Sequence, residues 1–268
     1  MNYLKEYKNS SKLAVLTVLK GFFKFFHQRA EIRNNPAYNI QIKRNLKRNN
    51  KVLNEDELIM LLKSAYLNYH EYEDNRVNDS KDKLNQWLAA RDWALLSILI
   101  CTGIRPKEIS SLYVESINLK ERYVQIKGKG DSNYSVRERT IPLTEPAVLS
   151  AVEIYLKLRP VSIFPHLFIN QRLEPLEISA IRCIIQKFNT QAGIQKNVSI
   201  TDIRKSFINL CAEKKIDPLV LRQIMGHNSL VTTMKYYLTA EEQYLREIWE
   251  KNNILNNFNE KEYEEWII

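Results

Sequence analysis

Residues 102–112 read TGIRPKEISSL, and they place a glycine, an arginine and a glutamate at the junction of two helices. Apolar residues recur at helical spacing from residue 86 to residue 102, and Gly103 is typical of a helix C-terminal cap. Pro106 favours the start of a new helix that runs to about Leu112. Arg105 therefore lies beside the N–H groups of a helix N-terminus, which suits a phosphate, and Glu108 can brace it one turn on. Taken alone, the same residues also fit a surface salt bridge.

The pattern on either side of this junction is mainly helical. Residues 1 to about 42 show helical spacing, most clearly from Lys12 to Arg29, until Asn35-Pro36 breaks it. A polar stretch at 70–83 indicates a loop. Further helices are predicted from Asn54 to Lys63, over 144–158 and 177–191, from Ser199 with Asp202 as a capping box, and from Asp217-Pro218 to Gly226.

One region has strand character instead. Residues 123–126 (YVQI) and 139–143 (RTIPL) predict a β-hairpin, with turn residues over 127–133. The fold class expected is mainly α with a small β-sheet or hairpin.

Three more short clusters combine basic residues with glycine or hydroxyl groups. They are KGKG at 127–130, TDIR at 201–204 and LRQIMGHNSLVTTMKYY at 221–237. Each has an ordinary structural explanation: a solvated turn lysine, an arginine beside a buried helix face, and a helical hairpin with half-buried tyrosines. Their order and spacing along the chain are much more specific than any one of them.

This combination resembles the tyrosine recombinase (phage integrase) family over about residues 53–240. The first box is TGIRPKEISSL, the hairpin carries KGKG and RTIPL, and the last box runs from Leu221 to Tyr236. The resemblance implies a catalytic domain over 53–268 with a C-terminal tail helix. It also implies a basic linker at 46–52 and, over 1–45, part of the family's helical core-binding (SAM-like) domain, with Asn35-Pro36-Ala37 near its end.

The resemblance further implies a metal-independent enzyme that cuts and rejoins DNA strands through a 3′-phosphotyrosyl bond. The catalytic set carried over is Arg105, Lys129, Arg204, His227 and Tyr236, with Glu108 in support. Arginines and histidine would hold the phosphate oxygens, Lys129 would protonate the departing 5′-oxygen, and Tyr236 would attack. Tyr237 is adjacent, but the spacing from His227 favours Tyr236. No metal and no cofactor are expected.

Two features depart from the family pattern. The second box usually reads His-x-x-Arg, whereas here Thr201 stands at the histidine position. Threonine donates a hydrogen bond but does not shuttle a proton near neutral pH, so His227 and Lys129 would carry more of the proton transfer. The helical segment in front is also shorter than a family core-binding domain.

The charge fits a DNA partner. The chain has 268 residues, a net charge of +9 and a pI near 9.3, and nucleic acid is the first polyanion to consider. The DNA contacts we expect are Lys43, Arg44, Lys47, Arg48 and Lys127. Expected partners are double-stranded DNA with paired recombination sites, three further copies forming a tetramer on DNA, and accessory DNA-bending proteins.

Other classes of protein find little support in the composition. No apolar stretch approaches a membrane span or a signal peptide, so a cytoplasmic, nucleoid-associated protein is expected. The three cysteines, Cys101, Cys183 and Cys211, fit free thiols in a reducing compartment, and no histidine pairs at zinc-ligand spacing. Two alternatives stay open: a non-catalytic DNA-binding regulator on the same scaffold, and a relaxing activity of the type IB topoisomerase kind.

Overall fold

A computed structural model describes residues 9–42, 52–74, 79–127 and 138–237 of the chain. The chain divides into two compact units, residues 1–50 and 51–268. In the first unit, helix α1 spans Asn9–Gln28. The helical prediction for residues up to about 42 is wrong beyond Gln28, because Ala30 takes a left-handed φ of 59° and turns follow. Asn35 then donates to the carbonyl of Lys20, 3.1 Å away, which ties the turns back to α1.

The second unit is helical with one small sheet, as predicted. Its helices are α2 (Glu55–Asp74), α3 (Ser80–Thr102), α4 (Pro106–Ser110), α5 (Pro146–Leu158), α6 (Ile178–Gln191), α7 (Ile200–Glu213), α8 (Pro218–Met225) and α9 (Leu230–Tyr237). Its strands are β1 (Ile117–Asn118), β2 (Tyr123–Ile126) and β3 (Arg139–Pro142). The capping box of Ser199 and Asp202 at the start of α7 is present as predicted.

Helices α2 and α3 are longer than the sequence pattern indicated. The predicted loop at 70–83 is wrong at both ends, since α2 continues to Asp74 and α3 begins at Ser80. Tyr69 is buried on α2 and stacks on Trp93 of α3 with ring centroids 5.4 Å apart, which holds the last turns of α2 in place. Asp79 caps α3 by accepting from the N–H of Asp82 at 2.7 Å. The polar residues of this stretch therefore belong mostly to exposed helix faces.

Helix α3 is the centre of the core. It packs against α2, α5 and α7, so its middle is buried all round and shows no amphipathic stripe. Leu95, Leu96, Ile98 and Leu99 are almost fully inaccessible. The C-terminal end of α3 is therefore held rigidly, and it is this end that leads into residues 103–108.

The sheet is antiparallel, with the order β1-β2-β3. Val124 pairs with Ile141 and Ile126 pairs with Arg139. Along β3 the side chains alternate between buried and exposed, and Arg139 lies on the buried side together with Ile141. The short strand β1 was not predicted. In the part of the chain that the structure describes, no helix has the length and apolar character to cross a membrane.

Candidate active site

Arg105 is fixed at the start of α4 by the ends of two helices. Gly103 closes α3 with a left-handed φ of 57°, and Pro106 opens α4. Glu108, in the first turn of α4, accepts from the backbone N–H of Arg105 at 2.9 Å and from its Nη1 at 2.8 Å. Both the backbone and the guanidinium of Arg105 are thus held by one carboxylate.

The same carboxylate binds a second arginine, from β3. Arg139 donates from Nη1 and Nη2 to the two oxygens of Glu108, at 3.0 and 2.8 Å. Glu108 is only 8% exposed. Burial alone would raise its pKa, but the hydrogen bonds and charges of Arg139 and then Arg105 lower that pKa to about 2. We call Arg105, Arg139, Arg204 and Glu108 the arginine centre.

The three arginines converge on the last carbonyls of α8. Arg139 donates to the carbonyl of Ile224 at 2.7 Å, Arg204 to that of Met225 at 2.9 Å, and Arg105 to that of Gly226 at 2.6 Å. Carbonyls at a helix C-terminus lack partners within the helix and carry the negative end of its dipole. The end of α8 therefore allows three guanidiniums to lie close together, and it fixes their positions.

Gly226 is required for the close approach of the guanidiniums to the end of α8. It ends α8 with φ 61°, and a Cβ built there would lie 3.0 Å from Arg139 Nη1 and 3.2 Å from Arg105 Nη1. Any other residue would be strained in the backbone and would crowd both guanidiniums.

Arg204 is buried, as Arg139 is. It extends from the buried face of α7 and also donates from Nη1 to the carbonyl of Gly103 at 2.7 Å. Burial is the main cause that lowers its pKa to about 10, followed by the charge of Arg105. Arg204 still carries its charge at neutral pH, so the centre holds three guanidiniums against one carboxylate and has an excess of positive charge.

His227 follows Gly226 and lies against Arg204. Its Nε2 is 3.1 Å from Arg204 Nη2, and its Nδ1 is 2.9 Å from the hydroxyl of Thr233 on α9. Burial, then the charges of Arg204, Arg105 and Arg139, lower the pKa of His227 to about 4. The imidazole is therefore neutral at physiological pH.

The two tyrosines of α9 have different surroundings. The hydroxyl of Tyr237 donates to the carbonyl of Ile216, in the loop between α7 and α8. The phenol of Tyr236 packs partly buried beside the cluster that includes Cys211 and Met225, and it interacts electrostatically with Arg204. Tyr236 is thus coupled to Arg204 of the arginine centre.

This geometry agrees with what the sequence is similar to. The profile of the phage integrase family matches residues 68–243. The chain belongs to the phage integrase family. It is a tyrosine recombinase, an enzyme of site-specific DNA recombination.

Individual relatives are consistent with this membership. Tyrosine recombinase XerC of Syntrophus aciditrophicus is 28% identical over 243 residues, covering 87% of this chain and 71% of that protein. Tyrosine recombinase XerA of Pyrococcus furiosus is 29% identical over 259 residues, covering 94% of this chain and 78% of that protein.

Solved structures of a site-specific recombinase and of a transposon integrase share the fold. XerH bound to its palindromic difH substrate, in a post-cleavage complex, superposes with a TM-score of 0.70 at 24% identity, covering 92% of this chain and 69% of that one. The Tn1549 transposon integrase in complex with transposon right end DNA gives a TM-score of 0.73 at 18% identity, covering 92% of this chain and 80% of that one.

The remaining predicted site residues are exposed or lie outside the described residues. Thr201 is exposed on the first turn of α7. Lys127 is exposed after β2, where it pairs with Glu115 and lies 5.7 Å from the ring centroid of Tyr113. The predicted residues Lys43, Arg44, Lys47, Arg48 and Lys129, the linker at 46–51 and the tail helix all lie outside the described residues. Within the described ranges, no group of three or more His, Cys, Asp or Glu side chains could hold a metal ion.

Sequence reasoning missed two residues of this integrase-family site. Arg139 was treated only as part of a strand, although the alternation with Ile141 could have indicated an inward side chain. Thr233 was only quoted within the last box, yet it is fully buried against His227. The contact between Thr233 and His227 depends on the turn between α8 and α9, which no local sequence signal defines.

Proposed function

We propose that this recombinase cuts and rejoins DNA through a 3′-phosphotyrosyl intermediate at Tyr236. The observation that carries the proposal is the convergence of Arg105, Arg204 and His227 at the end of α8, with the phenol of Tyr236 coupled to Arg204. A scissile phosphate fits this excess of positive charge.

The arginine centre would act mainly by preorganised electrostatics. Negative charge builds on the non-bridging oxygens as phosphorus becomes five-coordinate, and fixed guanidiniums stabilise that charge without having to reorganise. Within the described residues, Arg105 makes two side-chain hydrogen bonds, to Glu108 and Gly226. A guanidinium has five N–H groups, so donors are left for a phosphate. Glu108 and Arg139 would hold Arg105 in place.

The other parts of the reaction follow from the family resemblance. Lys129 would give a proton to the departing 5′-oxygen, and the released 5′-hydroxyl of a second strand would later attack the phosphotyrosine. The bond energy is kept in the protein–DNA link, so the reaction needs neither ATP nor a cofactor.

We propose the following assembly on DNA. Residues 1–45 would form part of a helical core-binding domain, 46–52 a basic linker, and 53–268 the catalytic domain, and each of the two domains would bind duplex DNA. Phosphate contacts would come from Lys43, Arg44, Lys47, Arg48 and Lys127. Four copies would assemble on paired sites in the cytoplasm, at the nucleoid, with DNA-bending proteins as helpers. The DNA complexes of similar folds, XerH with difH and the Tn1549 integrase with transposon end DNA, support duplex DNA as the partner.

The test is covalent trapping. The protein is incubated in EDTA with nicked duplexes that carry candidate sites from its own genomic flanks, and a denaturation-resistant adduct is mapped by peptide mass spectrometry. We expect an adduct at Tyr236, complete loss of it in Tyr236→Phe, and retention in the matched variant Tyr237→Phe. DNA binding should be unchanged in both variants when measured by gel shift.

Two outcomes would contradict the proposal. An adduct that persists in Tyr236→Phe would remove Tyr236 as nucleophile. Tight site-specific binding with no adduct in the unmodified chain would favour the non-catalytic regulator instead.

A further inference from the structure

Thr233 is a buried polar residue with a defined partner. It is the one described residue of α9 that is buried, and it has no accessible surface. Its hydroxyl lies 2.9 Å from Nδ1 of His227, across the turn between α8 and α9. A buried hydroxyl beside an imidazole nitrogen fixes the orientation of the ring and can pair with that nitrogen in either tautomer.

The contacts of both ring nitrogens decide the tautomer. Arginine has only donors, so Nε2 of His227 must accept from Arg204 and cannot carry a hydrogen there. The neutral ring then carries its proton on Nδ1 and donates it to the oxygen of Thr233. His227 is therefore held with the lone pair of Nε2 facing the arginine centre.

The reaction needs a proton acceptor of this kind. The Tyr236 hydroxyl must lose a proton as it attacks, and the second box offers Thr201, which is exposed and accepts no proton near neutral pH. The charged groups facing His227 are Arg204 on α7, Arg105 at the start of α4 and Arg139 on β3. A phosphate bound by these guanidiniums offsets the positive charges that oppose protonation of His227. The phosphate also accepts hydrogen bonds from N–H groups of Arg204, so that Nε2 of His227 is released from Arg204.

We infer that Thr233 is a positioning residue that accepts from Nδ1–H of His227 and so orients the ring whose tautomer Arg204 fixes, and that His227 is the proton acceptor for Tyr236. The inference rests on the proposed function above. In the step, the proton of the Tyr236 hydroxyl passes to Nε2 of His227, and the phenolic oxygen forms a bond to phosphorus. The bond from phosphorus to the 5′-oxygen breaks, and that oxygen takes a proton from Lys129.

The tautomer is tested on the free protein by long-range ¹H–¹⁵N correlation NMR, with His227 assigned by its loss in His227→Gln. We expect the Nδ1–H pattern in the unmodified chain and in Thr233→Ser, which keeps the hydroxyl. Thr233→Val keeps the shape but removes the oxygen that accepts from Nδ1–H, so the Nδ1 resonance of His227 should shift while Arg204 still fixes the tautomer. An Nε2–H pattern in the unmodified chain, or ring ¹⁵N shifts of His227 that are the same in Thr233→Val as in the unmodified chain, would overturn the inference whether or not the chain cleaves DNA.

The proton-acceptor role is tested by single-turnover cleavage as a function of pH. We expect His227→Gln to slow cleavage by about a hundredfold or more, and to flatten the limb on which the rate rises with pH. Thr233→Val should slow cleavage on the order of tenfold, and Thr233→Ser should stay close to the unmodified chain. Similar rates and pH profiles for Thr233→Val and the unmodified chain would overturn the inference.

A sulfur-substituted substrate separates this role from that of Lys129. When sulfur replaces the bridging 5′-oxygen, the leaving group departs without needing a proton, so Lys129→Ala should be rescued. Variants of His227 and Thr233 should not be rescued, because the nucleophile still has to lose its proton. Rescue of His227→Gln would place His227 on the leaving-group side and overturn the inference. Failure of the unmodified chain to form any adduct would instead remove the proposed function and, with it, the acceptor role.

Discussion

The arginine centre and helix α9 are built in different ways, although both belong to the same site. The carboxylate of Glu108 is buried and accepts four hydrogen bonds, and helix-end carbonyls hold the three guanidiniums. Of the eight described residues of helix α9, only Thr233 is buried. The guanidiniums are therefore preformed, whereas Tyr236, the proposed nucleophile, depends on the contacts of α9 with α7 and α8.

Removing the carboxylate tests this preformed state most severely. Glu108→Ala leaves Arg105 and Arg139 without their buried partner, and breaking a buried pair of this kind costs about 3–5 kcal/mol. We expect urea unfolding to show a loss of that size, and DNA cleavage to fall with it.

The control for this change is Glu153→Ala, which removes a carboxylate from an exposed pair with Lys157 on α5. It should lower the free energy of unfolding by less than about 0.5 kcal/mol. Equal losses in the two variants would mean that the centre gains nothing from Glu108 beyond a surface ion pair.

The same contrast explains how much of the molecule could be predicted from sequence. Arg105 and Glu108 are joined by local helix geometry, so their contact follows from a spacing of three residues and from Gly103 and Pro106. Arg139 reaches Glu108 only through the register of β2 and β3, and a charged residue on a strand is ordinarily expected to face solvent. The sequence pattern predicts α2 too short because tertiary packing, through the stacking of Tyr69 on Trp93, stabilises helical turns beyond the local apolar pattern.

Gly226 offers a finer test, because strain and crowding can be separated. Gly226→Ala is expected to cost about 1–2 kcal/mol for the left-handed backbone, and more for crowding Arg139 and Arg105. Gly193→Ala has a similar φ of 69° with no atom within 4 Å of the added Cβ, so it should show the strain alone.

The measurement is the free energy of unfolding of both variants, with DNA cleavage as a second readout. Gly226→Ala should exceed Gly193→Ala in destabilisation, and only Gly226→Ala should slow cleavage. Equal free energies of unfolding and equal cleavage rates in the two variants would show that the guanidiniums move aside freely, which would contradict a preformed centre.

The smallest effect we expect is the dependence of stability on pH through His227, which links the centre to α9. The folded pKa of about 4 lies below the ordinary value of 6.5, so between these values the unfolded chain binds a proton that the folded chain does not. The free energy of unfolding must then fall as the pH is lowered through that window. Above the window His227 does not change the free energy of unfolding.

Between pH 7.5 and pH 5 the contribution of His227 should be on the order of 1 kcal/mol after solvent screening. His227→Gln should lose that part of the slope, whereas the similarly directed contribution of half-buried His166 remains in both chains. Identical slopes in the two chains would mean that the arginines do not hold His227 neutral, and that the centre and α9 are not coupled through this imidazole.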